Sequence, residues 1–282
     1  MNFGGIPPIY TDYSKSPIVI LPVPFDATST WIKGADRGPD AILEASANME
    51  LYDIDTDTEV YLKGIHTAEP VIVDSSPEEL AVKVHESVSR FLSDGKFVVT
   101  LGGEHSVTIG AVQAFAAKIP GISVLQIDAH TDLRPEYEGS RFNHACVMAR
   151  VRELCPIVQV GIRSMDVIEK PYISADRIFY AKDIVGADKS WIDNVIDRLS
   201  DQVYVTIDLD GFDPSIVPAT GTPEPGGLFY YDVINLIRKL ISRKDVVGFD
   251  VVELCPMDGN KASDFLASKL IYQLLSYIFH KK

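Results

Sequence analysis

Three metal-competent side chains, Asp128, His130 and Asp132, stand two residues apart just after an apolar run at 122–127. On an extended chain residues i, i+2 and i+4 share a face, so the spacing predicts that all three point the same way. Two carboxylates and an imidazole gathered at the end of a buried strand are costly to desolvate unless a cation compensates them. The chemistry this pattern predicts is divalent-metal binding.

Two further stretches place acids or histidines directly after an apolar run: Gly102-Gly103-Glu104-His105-Ser106 and Thr206-Ile207-Asp208-Leu209-Asp210. In the second, Asp208 and Asp210 are again two apart and share a face. Asp128, Asp132, Asp208 and Asp210 bring four carboxylates, and His105 and His130 two neutral nitrogens. One divalent ion cannot use or neutralise all six groups, whereas two ions balance the four charges and share bridging carboxylates. A pair of ions about 3.5–4 Å apart can hold a water between them and acidify it towards neutral pH. A donor set dominated by carboxylate oxygen, with no cysteine in it, suits Mn²⁺ better than thiolate-loving Zn²⁺, with Fe²⁺ and Co²⁺ left open.

Positioning these groups requires a frame, and the chain alternates strand-like and helix-like patterns throughout. Strands are expected over 17–22, 71–73, 97–101, 122–127, 157–160, 178–180, 203–209 and 246–254. Helices are expected over 39–51, 76–92, 106–118, 144–154, 191–199, 228–240 and 263–279. The second of these opens on the capping-box pattern Ser76-Pro77-Glu78-Glu79. Near-continuous apolar strands alternating with helices predict an α/β fold with a mostly parallel, roughly eight-stranded sheet covered on both faces. In open parallel sheets, sites form beyond the carboxyl ends of the strands, so the three acidic stretches should gather along one edge. No Pro/Gly/Ser-rich linker interrupts the pattern, and a single domain over 1–282 is expected.

Composition bounds the partners. A formal charge of −14 argues against nucleic acid or an anionic membrane as partner, since both attract basic surfaces. Hydrophobic content of 46% and charged content of 23% are ordinary for a soluble globular enzyme. The first residues lack the basic-then-apolar layout of a secretion signal, and no apolar run approaches the ~18 residues of a membrane span. Cys146, Cys155 and Cys255 read as reduced core thiols, hence a cytoplasmic protein. His66, His85 and His280 are expected at the surface. Glu104 is expected to face outward in a structural role, and Asp213 and Asp250 to support the local backbone.

The motifs LGGEHS at 101–106, IDAHTDL at 127–133, NHACVMAR at 143–150, TIDLDGFDPSIVPATGTPEPGG at 206–227 and DVVELCP at 250–256 together resemble those of the ureohydrolases, the arginase and agmatinase family, and most of all the agmatinases. TWIKGADRGPDAI resembles the family's amino-terminal loop and first helix, so the likeness covers nearly the whole chain. The resemblance implies a three-layer α/β/α, arginase-like fold and a binuclear manganese site. Carried over by motif, His105, Asp128, Asp132 and Asp208 would hold one ion, and Asp128, His130, Asp208 and Asp210 the other. It also implies that hydroxide between the ions attacks a guanidino carbon, with Asp132 orienting it and relaying its proton. Glu253 matches the position that pairs with the guanidinium, where a carboxylate accepts two parallel N–H bonds. His144 matches a proton-shuttling histidine, whose imidazole titrates in the useful range.

The substrate class that follows is a small cationic guanidino compound, with agmatine, cleaved to putrescine and urea in polyamine biosynthesis, as the leading member. The loop LRPEYEGSRFN resembles those of microbial agmatinases rather than the polar loop of arginases. Its Glu136 and Glu138 are placed to attract a distal ammonium, while Arg134 and Arg141 would suit a carboxylate such as that of 4-guanidinobutyrate. Arginine, formiminoglutamate, and a silent polyamine-binding relative stand as alternatives. A deacetylase on a related sheet would use one zinc and leave the second ion's ligands without purpose. Relatives of this kind assemble as trimers or hexamers, so a homo-oligomer is expected.

Overall fold

The computed structural model describes residues 1–281. Eight parallel strands form one sheet among the described residues: β1 Ile18–Val23, β2 Ile65–Thr67, β3 Phe97–Gly102, β4 Ser123–Ile127, β5 Ile157–Ile162, β6 Ile178–Tyr180, β7 Gln202–Asp208 and β8 Asp245–Val252. Their order is β2-β1-β3-β8-β7-β4-β5-β6. The helices are α1 Gly38–Ser46, α2 Pro77–Ser93, α3 Val107–Lys118, α4 Val147–Val151, α5 Ala181–Ile184, α6 Ser190–Ile196, α7 Tyr230–Arg243 and α8 Ala262–Lys281.

Strand alternation divides the apolar residues between two cores. Ile18, Ile20, Val99, Leu125, Ile127 and Val205 pack under α1, α6, α7 and α8. Val19, Leu21, Val98, Val124 and Tyr204 pack under α2, α3 and α4. The result is a three-layer α/β/α arrangement. Because both faces are covered, strand residues are buried in both registers, which is why the strands read as continuous apolar runs rather than alternating ones.

Several expected elements fall elsewhere. Residues 71–73 are not a strand; the second strand is β2, paired in register Ile18↔Ile65 through Ile20↔Thr67. Pro70 has no N–H to give a ladder, and beyond β2 only isolated bonds, Ala68 N to Ile20 O and Val71 N to Pro22 O (both 2.9 Å), follow the edge of β1. Helix α1 stops at Ser46, and the expected helix over 144–154 is a 3₁₀ turn, His144–Cys146, followed by the short α4. Ser76 caps α2 by accepting from Glu79 N at 3.2 Å, but the Glu79 carboxylate takes Ser75 Oγ instead of closing the box.

β3, β8, β7 and β4 are adjacent at the centre of the sheet, and their carboxyl ends carry residues 103–105, 253, 208–210 and 128–132 respectively. A site built there draws on four neighbouring strand ends. Two glycines allow the backbones to approach closely enough. A Cβ on Gly103 would lie 2.0 Å from Phe25 O, and one on Gly211 would lie 2.9 Å from Asp128 N.

Candidate metal centre

Two groups of donors converge at this edge, each within 4.8 Å: His105 with Asp128 and Asp132, and Asp128 with His130 and Asp210. Asp128 is common to both. Asp208 joins them, with Oδ2 3.4 Å from His105 Nδ1 and Oδ1 accepting Asp210 N–H at 2.9 Å. All are buried except His130, whose side chain is 27% exposed.

The convergence is not produced by strand alternation. β4 ends at Ile127 and β7 at Asp208, and Asp210 lies in a 3₁₀ turn, Leu209–Gly211. Asp132 sits in the left-handed region at φ +51°, where a non-glycine residue is strained and needs its surroundings to hold it. Buried Glu169 provides that hold. Its Oε1 accepts Thr131 Oγ1 at 2.6 Å and Leu133 N at 2.8 Å, on either side of Asp132. Asp210 Oδ1 accepts Ala129 N at 3.0 Å, tying the ends of β7 and β4 together. Gln126 Nε2 donates to Asp128 Oδ2 at 2.6 Å, and Gln159 Nε2 donates to Gln126 Oε1 at 2.6 Å.

The electrostatics fit a pair of cations. Burial, reinforced by the Asp210 and Asp132 charges, pushes Asp128 up to about 7, and burial with Asp210 and Asp128 pushes Asp208 well above the carboxylate range. Burial would also raise Asp210, but His130 outweighs it and holds that carboxyl down to about 2. Burial alone would lower both imidazoles, yet the surrounding aspartates raise His105 and His130 well above the ordinary histidine value. Without cations, protons must neutralise this crowd.

Thr206 Oγ1 donates to the buried Asp250 at 2.6 Å, so it can only accept from His105 Nε2, 2.9 Å away. In the neutral ring Nδ1 then carries a lone pair, whereas without a cation the carboxylates favour a proton there. Nδ1 has no hydrogen bond, and faces carboxylate oxygens of Asp132, Asp128 and Asp208 at 2.9, 3.2 and 3.4 Å. Lone pairs so arranged repel unless a cation or a proton lies among them, and an outer carboxylate that fixes the ring is the usual support of a metal-ligating histidine. The residues therefore fit divalent metal.

A cavity of about 300 Å³ opens over the cluster, lined by His105, His130, Asp132, Asp208, Asp210, His144 and Glu253. Glu253, like Asp132, has a positive φ, +64°, and its Oε1 accepts His105 N at 2.6 Å. Burial and then the Glu104 charge push its carboxyl well above the usual range, so a bound cation would be welcome there. Burial pushes the His144 imidazole down.

Other expected residues lie away from the cavity. Glu136 and Glu138 are exposed and off its wall. Besides the donor cluster and Glu253, the acids that line it are Asp166 and Glu169, which no sequence pattern singled out. Arg134 reaches the wall but is paired with Asp166 at 3.1 Å and stacked 4.4 Å over Tyr137, and Arg141 pairs with exposed Glu153. Neither is a free carboxylate anchor. Glu104 is fully buried, not outward-facing, because four donors from Thr28, Ser29 and Ser106 satisfy it. Asp213 and Asp250 act as supports: Asp213 accepts Gly226 N and Gly227 N, and Asp250 accepts Tyr204 OH, Thr206 Oγ1 and Thr108 Oγ1. His66 is half-buried against Tyr13 rather than at the surface, with Nδ1 2.9 Å from Thr11 O; His85 is half-buried and His280 exposed.

Arg163 also escaped the sequence reading. Its guanidinium donates to the carbonyls of Asp210 at 2.6 Å, Glu224 at 2.7 Å, Gly161 at 3.1 Å and Phe212 at 3.2 Å, stitching the 210–225 loop under the site. Polar residues two positions before a donor, such as Gln126 before Asp128 and Thr206 before Asp208, are the readable signal for the supporting groups.

Comparison with known proteins agrees with this geometry. The chain is 40% identical over 278 residues to an N(1)-aminopropylagmatine ureohydrolase of Synechocystis sp., covering 95% of this chain and 90% of the relative. It is 35% identical to an agmatinase of Pyrococcus horikoshii, covering 94% and 93%. The crystal structure of agmatine ureohydrolase of Thermoplasma volcanium superposes with a TM-score of 0.86 at 34% identity, covering 96% of this chain and 92% of that one. Residues 16–276, which contain every donor of the cluster together with His144 and Glu253, match the model of the arginase family, and the chain belongs to that family.

Proposed function

We propose that the protein hydrolyses a linear guanidino cation to urea and a primary amine, with two Mn²⁺ held by His105, Asp128, His130, Asp132, Asp208 and Asp210. The observation that carries the reading is the cavity itself, in which Glu253 faces the same space as the two donor groups that share Asp128. When bound, the ions supply Lewis acidity, acidifying a water near neutral pH and neutralising the four carboxylates.

The chain's own groups do the rest. Glu253 receives the guanidinium, with Oε2 left to take a second parallel N–H bond. Asp132, on the cavity wall, orients the attacking water through the proton that water retains. His144 presents Nε2, which has no protein hydrogen bond among the described residues, as the site that takes a proton and returns it to the leaving nitrogen. Resonance makes a guanidinium carbon a poor electrophile, so a fixed cation, a strong nucleophile and a protonated leaving group are all required.

Agmatine, cleaved to putrescine and urea in polyamine biosynthesis, is the substrate we favour. Its distal ammonium would meet the half-buried Asp166 on the cavity wall rather than Glu136 or Glu138. A second reading is agmatine bearing an aminopropyl extension, named for relatives at 40% and 38% identity. Exposed Trp31 on the cavity wall offers an aromatic face to the extra cation that such a substrate carries. The reading extends to a cytoplasmic homo-oligomer, a trimer or hexamer, supported by three free buried thiols and by exposed Ile54, Val167 and Tyr231. Among the described residues no helix is long and apolar enough to cross a membrane.

The test is a panel with Mn²⁺-loaded protein: urea release from agmatine, aminopropylagmatine, arginine and 4-guanidinobutyrate, and formamide from formiminoglutamate. One of the first two should lead in kcat/KM by at least about tenfold. Absence of urea from all four guanidino compounds, with two equivalents of Mn²⁺ bound, would sink the proposal.

A further inference from the structure

Thr28 stands 116 residues before His144 in sequence and outside every strand-end motif, yet its hydroxyl lies 3.0 Å from His144 Nδ1. The direction of that bond is fixed by Glu104. This carboxylate is fully buried, and it is surrounded by donors. Oε2 accepts Thr28 N at 2.6 Å and Ser29 N at 3.1 Å, and Oε1 accepts Thr28 Oγ1 and Ser106 Oγ, each at 2.6 Å. Each oxygen accepts two of the four donors, and neither is left with a proton to give.

The single proton of the Thr28 hydroxyl is therefore committed to Glu104. Towards His144 the oxygen can only accept, which it does from the His144 backbone N–H at 3.0 Å and from the ring. We infer that Thr28 and Glu104 are positioning residues that hold His144 as the Nδ1–H tautomer, leaving the Nε2 lone pair towards the reacting groups.

The same device stands elsewhere in the site. Asp250 takes the proton of Thr206, and Thr206 accepts from His105 Nε2, which turns the opposite nitrogen of that ring, Nδ1, to the metal donors. A carboxylate and a threonine thus fix each histidine, in opposite tautomers suited to opposite tasks. In the wrong tautomer His144 would present an N–H at Nε2 and could not take a proton there until it had lost one.

The loop over 26–34 that carries Thr28 is secured separately at its base, with Asp26 Oδ2 accepting Gly34 N at 2.5 Å and Ala35 N at 3.1 Å. Loss of the Thr28 hydroxyl should consequently leave the loop closed.

The inference rests on His144 acting as proposed above, and its test separates the two claims. In Mn²⁺-loaded protein, Thr28→Val, which keeps the shape and removes the hydroxyl, should lower kcat about 10- to 100-fold with KM changed less than about threefold. Thr28→Ser should restore kcat to within about threefold of the parent, and Glu104→Gln, which frees the Thr28 proton, should resemble Thr28→Val. Melting temperature and bound Mn²⁺ are measured for each variant, and neutron diffraction of the deuterated parent enzyme should show a deuteron on Nδ1 and none on Nε2. A kcat for Thr28→Val within threefold of the parent, an equal loss in Thr28→Ser, or a deuteron on Nε2 overturns the inference. Urea release with a deuteron on Nε2 removes the positioning role alone. A deuteron on Nδ1 in a protein that releases no urea removes the proposed reaction alone.

Discussion

His105 N donates to Glu253 Oε1 at 2.6 Å, so the residue whose Nδ1 faces the donor cluster also fixes the carboxylate that faces the cavity. The bond runs between the ends of β3 and β8, which a second bond, Glu253 N to Gly103 O at 2.8 Å, clamps together. The proposed substrate anchor and the proposed metal donor are thereby set at a fixed spacing. The left-handed backbone of Glu253 is the conformation that this double attachment imposes.

Glu253→Gln keeps the shape and removes the charge. Losing one partner of a charged, hydrogen-bonded contact costs about 2–5 kcal/mol, so kcat/KM should fall by roughly 30-fold or more. Two equivalents of metal should remain bound. Urea-release kinetics beside elemental analysis would check both, and equal loss of metal and activity would assign Glu253 to the ligands instead.

Arg163→Lys tests the stitching of the 210–225 loop. A lysine is a point charge and cannot reach the carbonyls of Asp210, Phe212 and Glu224 together as the planar fork does. Stability should drop by about 2–3 kcal/mol, a melting shift of roughly 5–10 °C. Mn²⁺ affinity should weaken as well, because the Asp210 backbone is released. Calorimetry and metal titration report the two effects, and an unchanged affinity would separate the loop from the cluster.

Removing the ions should uncover the charge crowding among Asp128, Asp132 and Asp208. At ion concentrations near 100 times the dissociation constant, binding adds about 2.7 kcal/mol per site. Chelation should then lower the melting temperature by at least roughly 5 °C, and added Mn²⁺ should restore it. A melting curve indifferent to chelator would argue that the cluster is neutralised by protons alone.

Asp213 gives a pH signature away from the cluster. The Ser215 hydrogen bonds, with Gly226 N and Gly227 N, hold its carboxyl down to about 2 from an ordinary 3.8. A depressed acid stabilises fully above its unfolded value, and that share is lost as pH falls through the folded one. Asp213→Asn should therefore cost about 1 kcal/mol at neutral pH, with the gap to the parent narrowing between pH of about 4 and about 2. Denaturant unfolding at pH 7 and pH 3 would measure it, and a gap independent of pH would contradict the assignment.

The sequence by itself determined the parallel sheet and the donor types. Continuous apolar runs can only be buried on both faces, and an acid or histidine directly after such a run has to lie at a strand end. It therefore exposed Asp128, His130, Asp132, Asp208 and Asp210, and family motifs pointed to His144 and Glu253. Tertiary structure alone decided how they meet. Asp132 reaches the cluster through a left-handed turn held by Glu169, not through strand alternation, and Glu169 lies 37 residues further along the chain. Glu104 turns inward because Thr28, Ser29 and Ser106 surround it, which no local pattern reveals. Glu136 and Glu138 have the charge for a cationic substrate, but the fold turns them to solvent and sets Asp166 and Glu169 on the wall instead. Residue type and period are local properties, whereas a hydrogen-bond partner is chosen by which strand ends the sheet order brings side by side.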